Sequence, residues 1–147
     1  MTRAGAAKLY SPALLGLATG LARFPITADL PLRAEARSRS CGSVIALGLA
    51  LNAEGRIARI GMQVSACAIG QASAALLAEA SAGAEPARVA ATAEGLAAWL
   101  AGEGTLPDSW PGLDPLAPAL AHPGRHGALL LPWKAAVEAL SQARSNG

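Results

Sequence analysis

Charge, aromatic side chains and cysteine are all scarce in this chain of 147 residues. Charged residues make up 15% of it and the net charge is +2, too little to neutralise many phosphates, so nucleic acid is not expected as a partner. No apolar run reaches the roughly 18–20 residues needed to span a bilayer, so no membrane is expected either. The 52% of apolar residues suffice for a core, and we expect one domain over residues 1–147.

The two cysteines, Cys41 and Cys67, lie 26 positions apart. Two thiols cannot build the disulfide framework of a small secreted domain, and they are too few for a closed structural zinc site. They are typical of a cytoplasmic protein with free or metal-bound thiols. A C-x-x-C redox pair is absent, but a reversible disulfide between the two cysteines remains an alternative.

Signatures of catalysis are missing as well. The glycines follow neither of the two phosphate-binding patterns of nucleotide enzymes, and no serine stands beside a histidine as a nucleophile would. We therefore expect a carrier or binding protein and not an enzyme.

The chain opens with a helical pattern. Ser11 is a suitable N-cap and Pro12 a suitable first helical residue. Apolar residues then recur at helical spacing until Phe24 and Pro25 end the pattern. Residues 26–31 lack periodicity and are predicted to be a surface linker.

A period of two follows, which predicts three strands. The alternation runs from Leu32 to Arg39, from Ser43 to Leu51 and from about Arg56 to Ser65, with a turn at residues 52–55. Three strands joined by short connections form an antiparallel meander.

Helical spacing returns after Cys67, and another helix is predicted to begin at Pro86. Residues 102–127 are rich in glycine and proline, which indicates a long irregular connection with one short helical turn near residues 116–120. Pro132 is predicted to open the last helix. The fold class is therefore α+β, with an N-terminal helix, a three-stranded antiparallel meander and helices packed on one face of the sheet.

This order of elements brings the two cysteines together. The connection that contains Cys41 lies at the same end of a meander as the exit from the third strand, where Cys67 stands. Cys67 is also at the start of a helix, which favours the thiolate form that binds metal or accepts sulfur. In a plainer interpretation both cysteines are small buried apolar residues.

Several segments together resemble a known family, the SufU/IscU/NifU-N scaffolds of iron–sulfur cluster assembly. The resemblance is carried by Leu9-Tyr10-Ser11, Ser40-Cys41-Gly42-Ser43, Asn52-Ala53-Glu54-Gly55-Arg56-Ile57, Ser65-Ala66-Cys67-Ala68-Ile69-Gly70, Arg125 and Leu131-Pro132-Trp133-Lys134-Ala135. It covers nearly the whole chain, implies a SufE/NifU-like fold, and points through the late tryptophan to the SufU-like branch.

The resemblance also implies a ligand set, of which this chain keeps a part. In the family two cysteines, an aspartate and a third cysteine bind zinc or a nascent cluster. Cys41 and Cys67 match the first two cysteines, whereas Ser43 stands at the aspartate position and Ala128 at the third cysteine. A hydroxyl is a weak ligand and a methyl group is none.

Other residues of the late connection could complete the set. His126 lies two positions from Ala128 and is a candidate nitrogen ligand, although a solvated loop histidine is the plainer interpretation. Weaker candidates are His122, Glu103, Asp108 and Asp114.

By this resemblance the protein is an iron–sulfur cluster scaffold that accepts sulfur from a cysteine desulfurase and serves apo acceptor proteins. It would hold iron, zinc or a cluster at Cys41 and Cys67, and the resemblance allows a homodimer. Two alternatives stay open. One is a degenerate paralogue that acts as a metal-free binding or regulatory module, and the other is a thiol redox protein that uses a Cys41–Cys67 disulfide.

Overall fold

The computed structural model describes residues 11–39 and 42–146, which form an α+β fold. The α-helices are α1 Pro12–Thr19, α2 Ala68–Glu79, α3 Pro86–Leu100 and α4 His126–Asn146, and the strands are β1 Leu32–Arg37, β2 Val44–Leu51 and β3 Ile57–Ser65. Short 3-10 helices cover Gly20–Arg23, Asp114–Ala121 and Pro123–Arg125. The order of elements confirms the predicted helix, meander and following helices.

The three strands pair in chain order as an antiparallel meander, and their alternation decides which face is buried. Leu47 in the central strand pairs with Ala34 of β1 and Met62 of β3, and all three are buried. Helix α4 lies across β1 and β2 on this face, and α2 contacts β3. Burying an aliphatic side chain here contributes about 1.5–3 kcal/mol, so the period of two fixes the register.

The other face of the sheet is covered by the segment that precedes β1. Gly48 and Gly61 are partners in the register, and the side chain of Leu30, 3% exposed, lies on both. A Cβ atom at Gly61 would stand 2.3 Å from the carbonyl oxygen of Pro25, so the crossing requires glycine there. The predicted surface linker is thus packed against the sheet.

Two tryptophans, one in the connection after α3 and one in α4, form hydrogen bonds with the middle of α2. Trp110 Nε1 donates to the carbonyl oxygen of Leu76 at 2.9 Å, and Trp133 Nε1 donates to Ser73 Oγ at 2.9 Å. Ser73 Oγ in turn donates to the carbonyl oxygen of Leu129 at 2.6 Å. The two indole rings meet edge to face with centroids 5.1 Å apart. Tryptophan therefore holds both the long connection and the last helix in place.

The last helix begins earlier than the sequence predicts. It starts at His126, and Pro132 lies inside it and not at its first position. A proline there removes the N–H that would bond the carbonyl group of Ala128 and costs about 3 kcal/mol. Leu129, which precedes the proline in the same helix, is fully buried and its carbonyl oxygen accepts from Ser73, so this first part of α4 is held against α2. No helix in the described ranges is long and apolar enough to cross a membrane.

Candidate functional site

A small open pocket lies at the end of the sheet where β1 gives way to β2 and β3 to α2. Its volume is about 240 Å³. It is lined by Gly42, Ser43, Ser65, Ala66, Cys67 and Arg125. Four separate parts of the chain meet here: the β1–β2 loop, the end of β3, the start of α2 and the 3-10 turn before α4.

The β1–β2 loop reaches the pocket because of its backbone bonds. The N–H of Ser38 donates to the carbonyl oxygen of Ser43 at 2.9 Å, and the N–H of Gly42 donates to that of Ser38 at 3.2 Å. Gly42 has φ +71°, a conformation that favours glycine. Since Val44 pairs with Ser65, the loop closes beside the exit from β3. Cys41, which precedes Gly42, lies outside the described residues, as does Ser40.

Cys67 is the N-cap residue of α2, as its position in the sequence predicts. Its carbonyl oxygen accepts the N–H of Gln71 at 3.0 Å, but its side chain makes no capping bond. The thiol is free and the residue half-buried. The helix therefore holds the Cys67 backbone while the side chain lines the pocket.

The two positions that depart from the family ligands are both buried. Ser43 is 3% exposed and belongs to the pocket wall. Ala128 is 1% exposed in the first turn of α4, and a Cβ atom added at Gly70 would lie 3.3 Å from both its Cβ and its carbonyl oxygen. The Ala128 methyl group therefore faces the first turn of α2, three residues after Cys67, and Ala128 is not among the lining residues of the pocket.

His126, the predicted nitrogen ligand, has a different set of contacts. Its Nε2 atom lies 3.0 Å from the carbonyl oxygen of Ala119 and 3.2 Å from that of Leu120. Both are acceptors, so Nε2 carries the hydrogen and donates it. His126 is not among the lining residues of the pocket, whereas its neighbour Arg125 is.

Arg125 is a residue that the sequence indicates only through the family resemblance. Nothing in its spacing distinguishes it, because its place in the pocket depends on the 3-10 turn Pro123–Arg125 that precedes α4. It is the charged side chain in the pocket lining, and no carboxylate is among the lining residues of the described parts of the chain. A cation at this position attracts an anion and opposes a divalent metal ion.

The donor set around the pocket fits a metal ion poorly. Within residues 11–39 and 42–146, no three His, Cys, Asp or Glu side chains come together as a metal site. Cys67 is the thiol that the described pocket contains. His122, Glu103, Asp108 and Asp114 do not line it. The roles predicted for Cys41, Cys67, Ser43 and His126 as ligands therefore stay predictions.

No family model and no curated protein sequence matches this chain. Solved structures do match. A NifU-like N-terminal protein from Brucella abortus superposes with a TM-score of 0.90 at 24% identity, over 97% of this chain and 99% of the other. The chain has the NifU-like fold.

A second structure with the NifU-like fold comes from the thermophile Fervidobacterium islandicum AW-1. It is assigned as an iron–sulfur cluster assembly scaffold protein of the SUF system and matches with a TM-score of 0.75 at 21% identity, over 91% of this chain and 98% of the other. A hypothetical protein of the same fold matches at 0.64, with 20% identity over 87% of this chain and 96% of its own. The predicted fold class is confirmed, and the pocket lies within that fold.

Proposed function

We propose that this protein is a sulfur carrier of iron–sulfur cluster assembly and that Cys67 is its sulfur acceptor. The observation that supports this most is that Cys67, whose thiol is free, and Arg125 both line one open pocket that no described carboxylate lines. A thiol accepts sulfur, and a guanidinium stabilises the anion that results. The NifU-like fold, shared with a protein assigned to cluster assembly, supports the same role.

The transfer step is an exchange between sulfur atoms. The Cys67 thiolate attacks the outer sulfur of a cysteine persulfide on a cysteine desulfurase, a new S–S bond forms at Cys67, and the donor cysteine leaves as a thiolate. The proton lost by Cys67 goes to solvent, and no net oxidation takes place. The terminal sulfur at Cys67 then carries the negative charge beside Arg125, until a thiolate of an acceptor protein takes it by the same exchange.

Iron, zinc or a cluster is cargo in this proposal, and it is held briefly. Cys41 and Cys67 are the two thiols that could share it. Ser43 and Ala128 supply no strong ligand, so the protein keeps metal weakly unless solvent, His126 or a second subunit adds a donor. The role that we propose is therefore that of a carrier, with sulfur at Cys67 as its main cargo.

Transfer of radioactive sulfur tests the proposal directly. The protein is incubated with a cysteine desulfurase and cysteine labelled with sulfur-35, and the bound label is measured with and without a thiol reductant. Wild type and Cys41→Ser are expected to carry label that reductant releases, and Cys67→Ser about tenfold less. Retention of the label by Cys67→Ser, or absence of label from the wild type, would contradict the proposal.

A metal-free binding module is the second candidate, and the buried methyl group of Ala128 at a ligand position favours it. For such a module, replacing both Cys41 and Cys67 by serine leaves partner binding intact. Metal analysis of anaerobically purified protein, beside this double variant, separates the two functions. Mass spectrometry after mild oxidation reports on the third alternative, a Cys41–Cys67 disulfide.

A further inference from the structure

The free edge of β1 has hydrogen-bonding groups that point away from the sheet. The N–H of Arg33 donates to Gln142 Oε1 at 3.2 Å, and Gln142 Nε2 donates to the carbonyl oxygen of Arg33. Ser38, five residues on, instead bonds inward to Ser43. Bonding direction alternates along an antiparallel strand, so Arg33, Glu35 and Arg37 direct their N–H and C=O groups outward.

The opposite edge of the sheet is covered by backbone. The N–H of Ile57 donates to the carbonyl oxygen of Ala84 at 2.9 Å, the N–H of Gly83 donates to that of Ile57 at 2.8 Å, and the N–H of Met62 donates to that of Phe24 at 2.8 Å. Among the described residues, the side chain of Gln142 is what bonds the β1 edge, and it does so at one end. Along the chain as described, no backbone segment pairs with Glu35 and Arg37 on that side. An open edge of this kind is a template for another strand.

The charge along this edge is mainly positive. Arg33, Glu35, Arg37 and Arg39 are all exposed. The guanidinium of Arg33 bonds the carbonyl oxygens of Leu30 and Thr27. Arg37 and Arg39 take part in none of the ion pairs found among the described residues. Two arginines are therefore available to acidic side chains of an added strand.

We propose that the β1 edge from Glu35 to Arg37 binds an extended acidic segment of a partner protein by strand addition. The main chain of the segment bonds the outward groups of Glu35 and Arg37, and its carboxylates face Arg37 and Arg39. The segment runs beside the loop that begins at Ser38 and lines the Cys67 pocket with Gly42. This inference is independent of sulfur transfer, since it concerns where a partner docks and not what Cys67 carries.

A second copy of this chain fits the edge less well. In an antiparallel pair centred on Glu35, this residue faces its own copy, and Arg33 faces the other copy's Arg37. Moving the centre to Arg37 places that arginine opposite itself. A pair centred on Ala36 sets Glu35 opposite the other copy's Arg37 but also sets Arg33 opposite Arg39, and a pair centred on Ala34 needs the outward groups of Arg33, which Gln142 already bonds. Because like charges directly opposite on paired strands are destabilising, each of these registers has a cost that an acidic segment does not have at the arginines.

Amide hydrogen exchange tests the proposal at the residues concerned. The probe is a blocked ten-residue peptide that alternates glutamate with valine, and the control peptide has lysine at each glutamate. The glutamate peptide is expected to slow exchange of the Glu35 and Arg37 amides about tenfold, and the lysine peptide to leave them unchanged. Equal protection by both peptides, or protection by neither, overturns the proposal.

Two variants locate the bound peptide. Glu35→Pro removes an outward N–H but no bond to β2, so it should weaken glutamate-peptide binding about tenfold, whereas Glu35→Gln should not. Unchanged binding by Glu35→Pro would refute strand addition. If Glu35→Pro does not fold, Arg37→Glu decides: it should reverse the preference towards the lysine peptide, and a retained preference for glutamate counts against the charge argument.

Binding of the edge by another occupant would be detected by amide hydrogen exchange of the protein without added peptide. Slow exchange at Glu35 that disappears when residues 1–10 are deleted would assign the edge to the chain's own first residues. Protection that grows with protein concentration and is lost in Glu35→Pro would assign it to a second copy. Either outcome overturns the proposal.

Discussion

The middle of α2 and its first residues contact the rest of the protein in different ways. In the middle, Ser73 and Leu76 bond two buried tryptophans, and nothing there is open to solvent. At the start, Cys67 caps the helix through its backbone alone and its side chain lines a pocket. The helix is thus anchored at a distance from its reactive residue. We therefore expect substitutions at the pocket to lower stability less than substitutions at Ser73 or Trp133.

The largest expected effect is a loss of stability when the contacts of the middle of α2 are removed. Trp133→Ala should lower the free energy of unfolding by about 3–5 kcal/mol, because a fully buried indole and its hydrogen bond are both lost. Denaturant titration measures this. The reactivity of the Cys67 thiol in the folded variant should stay as in the wild type, measured in a Cys41→Ser background. A changed reactivity would mean that the two regions are coupled.

A smaller loss is expected for Ser73→Ala. The Nε1 atom of Trp133 and the carbonyl group of Leu129 would both lose a buried partner, at a cost of about 1–3 kcal/mol. Ser81→Ala is the matched control, since Ser81 is also buried but its hydroxyl bonds only Ala78 three residues back. If both variants lose the same stability, the hydrogen bonds of Ser73 between α2 and α4 contribute no more than the local bond of Ser81.

The next effect concerns the pocket and is a gain in zinc affinity. Combining Ser43→Asp with Ala128→Cys should raise zinc affinity about tenfold or more, because a carboxylate is then added to the pocket wall and a thiolate to the first turn of α4, opposite the first turn of the helix that Cys67 caps. Competition with a chelating dye gives the affinity, and each single variant serves as a control. A double variant that binds zinc no better than the wild type would show that the pocket opposes a metal ion for another reason, such as Arg125.

The smallest expected effect is a loss of sulfur transfer without loss of stability. Arg125→Gln should reduce the sulfur label on Cys67 about fivefold, equivalent to about 1 kcal/mol, since it removes the charge beside the terminal sulfur. Arg125→Lys should retain most of the label. A fall of the same size in both variants would point to the shape of the guanidinium and not to its charge.

The sequence predicts the fold well because its signals are local. Ser11 caps α1 through a bond from the N–H of Leu14, and alternating residues such as Leu47 and Leu49 lie inside as the period of two requires. The start of the last helix was predicted wrongly at Pro132. Proline is favoured at the first helical position, and the contacts that hold the preceding turn against α2, such as the bond between Ser73 and Leu129, cannot be read from the sequence.

The site is less accessible to sequence reasoning. The convergence of the β1–β2 loop with Cys67 follows from the order of a meander, and Gly42 and Ser43 do line the pocket with it. The order of the meander does not predict which of two neighbouring residues, Arg125 or His126, lines the pocket. Whether Arg125 or His126 reaches the pocket depends on one 3-10 turn and on two backbone carbonyls that His126 contacts.

The absence of side chains at Gly48 and Gly61 lets the segment before β1 lie directly on the sheet, and this affects how α1 is held. The side chain of Leu30 lies against both glycines, where added Cβ atoms would stand 2.9 Å from its atoms. A methyl group at Gly61 would collide with main-chain atoms of Pro25 and Ile26, which cannot turn aside as a side chain can. Such a change would therefore displace the segment that crosses the sheet before β1. Because this segment connects α1 to the sheet, the packing of α1 against α2 would be weakened as well.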